Sequence, residues 1–183
     1  MANRRSTGAL GRHEGGAVRV LGIDPGVAIM GYAVVERAGS KLAPVTFGVV
    51  RTPAREAQAR RLVMLRDALV TIISDHRPDV AAVERLFFTT NVRTAMAVGQ
   101  ASGVALATAA EAGLDVTDYT PNEVKQSVCG YGGAAKAQVQ AMVAALLGLA
   151  EPPRPPDAAD ACALAICHLN RAGLTSAIKR KLA

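Results

Sequence analysis

Apolar and polar positions follow two rhythms along this 183-residue chain. From Val18 to Asp24 an apolar, largely β-branched run is closed at once by Pro25 and Gly26, the pattern of a buried strand stopped by turn residues. Ile29 to Glu36 and Val45 to Val50 are two further short runs on either side of the Ala38-Gly39-Ser40 turn, which predicts an antiparallel meander of three strands. The period then changes. Between Arg55 and His76, Leu62, Leu65, Leu69, Ile72 and Ile73 fall three and four apart with arginines between them, an amphipathic helix that Pro78 ends. Asp79 to Val83 is an almost unbroken apolar strand running into Glu84, and Val116 to Tyr119 reads as a fifth strand.

Helices fill the remainder. One is predicted from Asn91, as N-cap, to about Thr108, with the small residues Ala95, Ala97, Gly99, Ala101, Gly103 and Ala105 suited to close packing in the core or across a dimer. Thr120-Pro121-Asn122-Glu123 is a full helix start, with Thr as N-cap, Pro at N1 and Glu at N3. Gly130, Gly132 and Gly133 break that helix, and another spans 135–149. Pro152, Pro153, Pro155 and Pro156 predict a stiff extended linker, followed by a last helix from near Asp157 to about Asn170. Three antiparallel strands joined to two parallel ones, with helices on the faces, make a mixed α/β sheet.

Length allows one ordinary domain, 18–171, between a flexible extension at 1–17 and a basic tail at 172–183. The formal net charge of +6 favours an acidic partner such as nucleic acid. Cys129, Cys162 and Cys167 are odd in number and form no Cys-x-x-Cys pair, which points to reduced thiols; with no signal peptide or membrane span visible, the expected location is cytoplasmic.

Chemistry enters through acids in unusual places. Asp24 ends the first strand, where open α/β sheets handle their ligands, although Asp-Pro-Gly is also good turn chemistry. Glu84 ends the fourth strand, where burial of its charge calls for a cation; an ion pair with Arg85 or another arginine is the plain structural explanation. Asp157 and Asp160 sit three apart at a helix start and share one face. Capping accounts for one of them, not readily for both. A few carboxylates, with water and phosphate oxygens, are what a magnesium-dependent phosphodiester-cutting site needs. No His or Cys cluster competes for zinc, and His168 reads as a packed or surface histidine.

Several stretches in order carry a resemblance. They are Leu21-Gly22-Ile23-Asp24-Pro25-Gly26 with Gly31-Tyr32; Val83-Glu84 leading to Phe87; Val98-Gly99-Gln100-Ala101 before Gly103-Val104; Val124-Lys125-Gln126; Lys136 before Gln138-Val139-Gln140; and Asp157-Ala158-Ala159-Asp160-Ala161. Across about 18–170 the chain resembles the RuvC family of crossover junction endodeoxyribonucleases. The resemblance implies a ribonuclease H-like fold with a five-stranded mixed sheet and helices on both faces. It implies a homodimer that binds four-way junction DNA and resolves Holliday junctions by paired symmetric nicks, in cooperation with the RuvA–RuvB branch-migration complex. By the same resemblance Asp24, Glu84, Asp157 and Asp160 are catalytic and bind two Mg²⁺ per subunit, with Mn²⁺ substituting. Asp24 is expected to bridge both ions, Glu84 to hold one, and Asp157 and Asp160 to hold the other. Lys125, Lys136 and Phe87 become DNA-binding residues rather than solvated lysines and a core aromatic, with Arg93, Thr89 and Asn91 as further backbone contacts.

Three other readings are weighed against it. Actin-like ATPases and sugar kinases share a Gly-Ile-Asp-x-Gly opening but need two duplicated lobes, which this length without a repeat does not supply. A junction-binding module with structural acids, and a nuclease of the same fold acting on RNA–DNA hybrids or single strands, are separable by a cleavage assay.

Overall fold

Val18–Asp24 (β1) rises from an exposed Val18 to four successive buried residues, Val20 to Ile23, and is the central strand of one mixed sheet. The computed structural model describes residues 16–85 and 92–182, with side chains as far as residue 172. Ile29–Ala38 (β2) lies antiparallel to β1, and Lys41–Arg51 (β3) antiparallel to β2 at the sheet edge. On the other side of β1, Val80–Glu84 (β4) and Asp115–Tyr119 (β5) run parallel to it, giving the order β3-β2-β1-β4-β5. The three antiparallel and two parallel strands are those the sequence predicts. β3 is longer than the expected Val45–Val50 because it begins on polar Lys41 and contains Pro44, which an edge strand tolerates. Val34 pairs with Thr46 and Val35 with Pro44, so Val45 is bulged out of the ladder.

Period-2 alternation divides the core between the two faces. Leu21, Ile23, Val34, Ala81 and Val83 point to one face, covered by Gln58–His76 (α1) and Val92–Glu111 (α2) through Leu65, Leu69, Ala101 and Ala105. Val20, Ala33, Val35 and Ala82 point to the other, covered by Pro121–Cys129 (α3), Lys136–Leu147 (α4) and Pro156–Leu182 (α5). α5 is the most deeply embedded helix: Ala158, Ala159, Ala161 to Cys167 and Leu169 are all buried.

The helix ends follow local chemistry. α1 stops at Arg77, whose left-handed backbone (φ 46°) precedes Pro78. α3 opens with the predicted capping box, in which Thr120 Oγ1 accepts from the Glu123 amide while Glu123 accepts from the Thr120 amide, and it ends at Gly130 with φ 85°. Two expectations are corrected. The proline segment is bent rather than extended, with Pro153 buried, because α4 and α5 pack against each other and the connection must fold back. The last helix continues past Asn170 to Leu182, since no residue there is a proline able to end it. Among the described residues no helix is long and apolar enough to cross a membrane, and the three cysteines are free thiols.

Candidate active site

Asp24 and Glu84 stand on neighbouring parallel strands, just past the pair Ile23–Val83. By alternation Asp24 shares the face of Val20 and Gly22, and Glu84 that of Val80 and Ala82, so both carboxylates face the α5 side. Asp24 lies opposite Gly31 on β2.

That glycine, together with Gly22, is what lets α5 reach the acids. A Cβ on Gly22 would lie 2.0 Å from the Ala161 carbonyl oxygen, and one on Gly31 would lie 2.1 Å from that of Asp157. The helix backbone therefore rests directly on strand backbone at two points one turn apart. Its first turns, carrying Asp157 and Asp160, are pressed onto the end of the sheet where Asp24 emerges. Any larger residue at either position would lift the helix and its carboxylates away.

The four acids line one open cavity of about 410 Å³ with Lys125, Lys136 and an apolar wall that includes Val124 and Val139. Lys136 Nζ donates to Asp160 Oδ2 at 2.8 Å. Burial pushes the Asp24 carboxyl up to about 7 from an ordinary 3.8, and the charges of Glu84, Asp160 and Asp157 push the same way, against Lys136. Glu84 is raised too, by burial and by Asp160, again opposed by Lys136. Arg85 does not neutralise Glu84; it forms a two-pronged pair with Asp118 at 2.5 and 3.2 Å. Among the described residues Glu84 forms no ion pair.

This donor set suits a hard cation: carboxylate oxygens only, no thiol or imidazole on the cavity, and a negative charge that Lys136 offsets only in part. Among the described residues no three His, Cys, Asp or Glu side chains converge into a ready-made metal cage. Asp160 is turned toward Lys136 instead. Mg²⁺ does not require a full protein cage, since it keeps waters and takes substrate phosphate oxygens as ligands.

The other sequence-based candidates divide. Lys125 and Lys136 both line the cavity. Arg93 is exposed on the first turn of α2 and is not among the cavity residues. Phe87, Phe88, Thr89 and Asn91 lie outside the described residues. His168 is half-buried, its Nδ1 3.0 Å from the Tyr119 hydroxyl and its pKa lowered by burial, a packed histidine away from the acids. The Lys136–Asp160 contact, spanning 24 residues, had no signal in the sequence beyond the charges themselves.

A β3-β2-β1-β4-β5 sheet with helices on both faces and carboxylates at the ends of its first and fourth strands is the architecture of the ribonuclease H-like class. The sequence model of the family described as Crossover junction endodeoxyribonuclease RuvC matches residues 20–168. A crossover junction endodeoxyribonuclease RuvC of Chloroflexus aggregans is 57% identical over 151 residues, covering 82% of this chain and 92% of the relative. The Thermus thermophilus RuvC structure superimposes with a TM-score of 0.80 at 38% identity, covering 86% of this chain and 97% of that one. The same protein in complex with Holliday junction substrate gives 0.79 at 35% identity, covering 86% and 96%. This chain belongs to the RuvC family of crossover junction endodeoxyribonucleases. It is a Holliday junction resolvase, a hydrolase of DNA phosphodiester bonds, and nucleases of the family are metal-dependent.

Proposed function

We propose that the chain resolves four-way junctions by paired symmetric nicks, with Asp24, Glu84, Asp157 and Asp160 as the catalytic carboxylates. The observation that carries this reading is their convergence on one cavity with two lysines. These four residues would hold Mg²⁺, two ions per subunit, with Mn²⁺ able to substitute. Bound metal there would supply the activation of a water and the stabilisation of the leaving oxygen in an in-line displacement.

The chain's own residues prepare that site. Burial holds the Asp24 carboxyl up near 7, so positive charge arriving in the cavity favours its ionised form. Lys136 holds Asp160 in place and tempers the charge on Asp24 and Glu84. Lys125 and Lys136 offer ammonium groups to the phosphates flanking the scissile one, which makes binding salt-dependent. Val124 and Val139 close the cavity on its apolar side and limit the water around the reacting phosphate.

Paired nicking requires two sites, and a homodimer would supply them. An exposed stripe on α2 supports that: Val92, Met96 and Leu106 are 69%, 64% and 40% exposed, and with Gly99 and Gly103 they follow the three-and-four spacing of a helix–helix seam. The site of action would be the reduced cytoplasm, in keeping with three free thiols, and RuvA–RuvB would be the cooperating machinery.

The test is a cleavage assay on a four-way junction, an RNA–DNA hybrid and single-stranded DNA, each with Mg²⁺. The reading expects cuts at symmetric positions in the junction and little turnover of the other two. Preferential cutting of the hybrid or the single strand would assign the chain to a different ribonuclease H-like activity. Junction binding without any cleavage would make it a binding module.

A further inference from the structure

Beyond the cavity, among the described residues, an unassigned cluster of positive charge lies at the corner between β3 and α1. β3 runs parallel to β1, two strands away, so its end at Arg51 reaches the same sheet edge as Asp24. Val49 lies opposite Gly31, which lies opposite Asp24, and Arg51 is two residues further on. At a strand spacing of about 4.8 Å and a rise of about 3.4 Å per residue, the Cα atoms of Arg51 and Asp24 are roughly 12 Å apart.

The corner is fixed to the turn that follows Asp24. The Thr52 amide donates to the Ala28 carbonyl at 3.2 Å and its hydroxyl to the Val27 carbonyl at 2.5 Å. Arg61 Nε donates to the Thr52 hydroxyl at 2.8 Å, which ties α1 to the same turn. On this frame Arg51, Arg55 and Arg60 are exposed, and no described residue forms a hydrogen bond or ion pair with their side chains. Glu56 is the one acid within 51–61. Exposed, like-charged arginines repel one another and gain nothing from the fold itself, whereas each offers a planar fork matched to a phosphate.

We infer that Arg51, Arg55 and Arg60 form a phosphate-binding track that grips the DNA backbone beside the scissile phosphate, on the β3 side of Asp24. The inference rests on the proposed junction cleavage at Asp24 and adds to it the path taken by one arm of the substrate. With about 12 Å separating Arg51 from Asp24, the track meets phosphates a few nucleotides from the cut, not the reacting one. Lys125 and Lys136 then grip the strand at the cavity, and the arginine corner sets its exit direction.

The experiment measures binding of the full chain to a fluorescent four-way junction without divalent metal, across a salt series. Two double variants remove equal charge: Arg51→Gln with Arg55→Gln at the corner, and Lys41→Gln with Arg66→Gln as control. Lys41 begins β3 at the opposite sheet edge, and Arg66 on α1 lies 3.9 Å from Glu111 at the far end of α2. Each lost phosphate contact lowers the slope of log affinity against log salt by about one. The corner pair is therefore expected to lose about two from the slope and about tenfold or more in affinity; the control pair loses far less. Arg60→Gln alone should lower the slope by about one. Equal losses from the corner and control pairs would overturn the inference, as net charge alone would then explain them.

A second arm places neutral methylphosphonates two to four nucleotides from the mapped cut. Wild-type chain should lose affinity for this junction, and the corner variant should lose no more. Additive losses would likewise overturn the track. If the wild-type chain bound no junction, or if the Asp24→Asn variant cut it, the underlying functional reading would fail instead, and the two failures are distinct.

Discussion

Replacing Gly31 with alanine puts a methyl carbon 2.1 Å from the Asp157 carbonyl oxygen and 2.7 Å from its carbonyl carbon, where ordinary contact begins near 3.4 Å. Neither neighbour is a flexible side chain. Both are backbone atoms in the first turn of the most buried helix, and the methyl itself stands on the β2 backbone at the position paired with Asp24. To accommodate the methyl, α5 must retreat by roughly 1 Å or β2 must bow, an overpacking strain of about 1–3 kcal/mol or more. For a chain of this size that corresponds to a melting temperature lower by about 2–12 °C. The functional effect should exceed the thermal one, because Asp157 and Asp160 travel with the helix. A displacement of about 1 Å in a positioned group can cost about 100-fold in rate. The assay pairs thermal unfolding by circular dichroism with single-turnover junction cleavage at a temperature where the variant is fully folded. Gly132→Ala is the control, since its new methyl meets nothing closer than 3.5 Å. If Gly31→Ala melted and cut like the wild type, α5 would not be seated on β2 in the way that positions the acids.

Three further outcomes follow from the same site. Because the folded chain holds the Asp24 proton up to about pH 7 whereas an ordinary aspartate releases it near 3.8, metal-free stability should fall as pH rises between those values, by on the order of a few kcal/mol. Asp24→Asn should abolish most of that slope and melt higher than wild type at pH 8 without metal; an unchanged slope would refute the burial argument. Lys136→Gln removes the charge that lowers Asp24 and Glu84, so the pH giving half-maximal cleavage should move upward, and a pH–rate profile that stayed in place would count against that role. Gly99→Arg, in the middle of the exposed α2 stripe, should yield monomers by analytical ultracentrifugation and lose paired nicking, whereas a variant that stayed dimeric would place the interface elsewhere.

The elements legible in the sequence are those whose signals are local. β1 and β4 are short apolar runs between turn residues, β5 is marked by Val116 and Tyr119 just before a helix start, and the Thr120–Glu123 capping box is readable residue by residue. Asp24, Glu84, Asp157 and Asp160 stand out because each occupies a strand end or helix start where an acid is costly or redundant. What places them around one cavity is not local. The clearances at Gly22 and Gly31 depend on a helix more than 120 residues away, and a glycine in a strand does not say what approaches it. The same holds for the Lys136–Asp160 pair and for the arginine corner, which emerges only once β3 is known to end at the edge where β1 ends. The Pro152–Pro156 segment misled for the opposite reason: its composition suggests an extended spacer, and the demand that α4 and α5 pack together bends it.

The central claim is that Asp24 acts in catalysis and not merely as turn chemistry before Pro25 and Gly26. Asp24→Asn keeps the size and the turn while removing the charge, so its behaviour on a labelled four-way junction with Mg²⁺ separates the two roles most directly. The expected result is junction affinity within about threefold of wild type and cleavage below detection. Cleavage at an undiminished rate by the folded variant would contradict it.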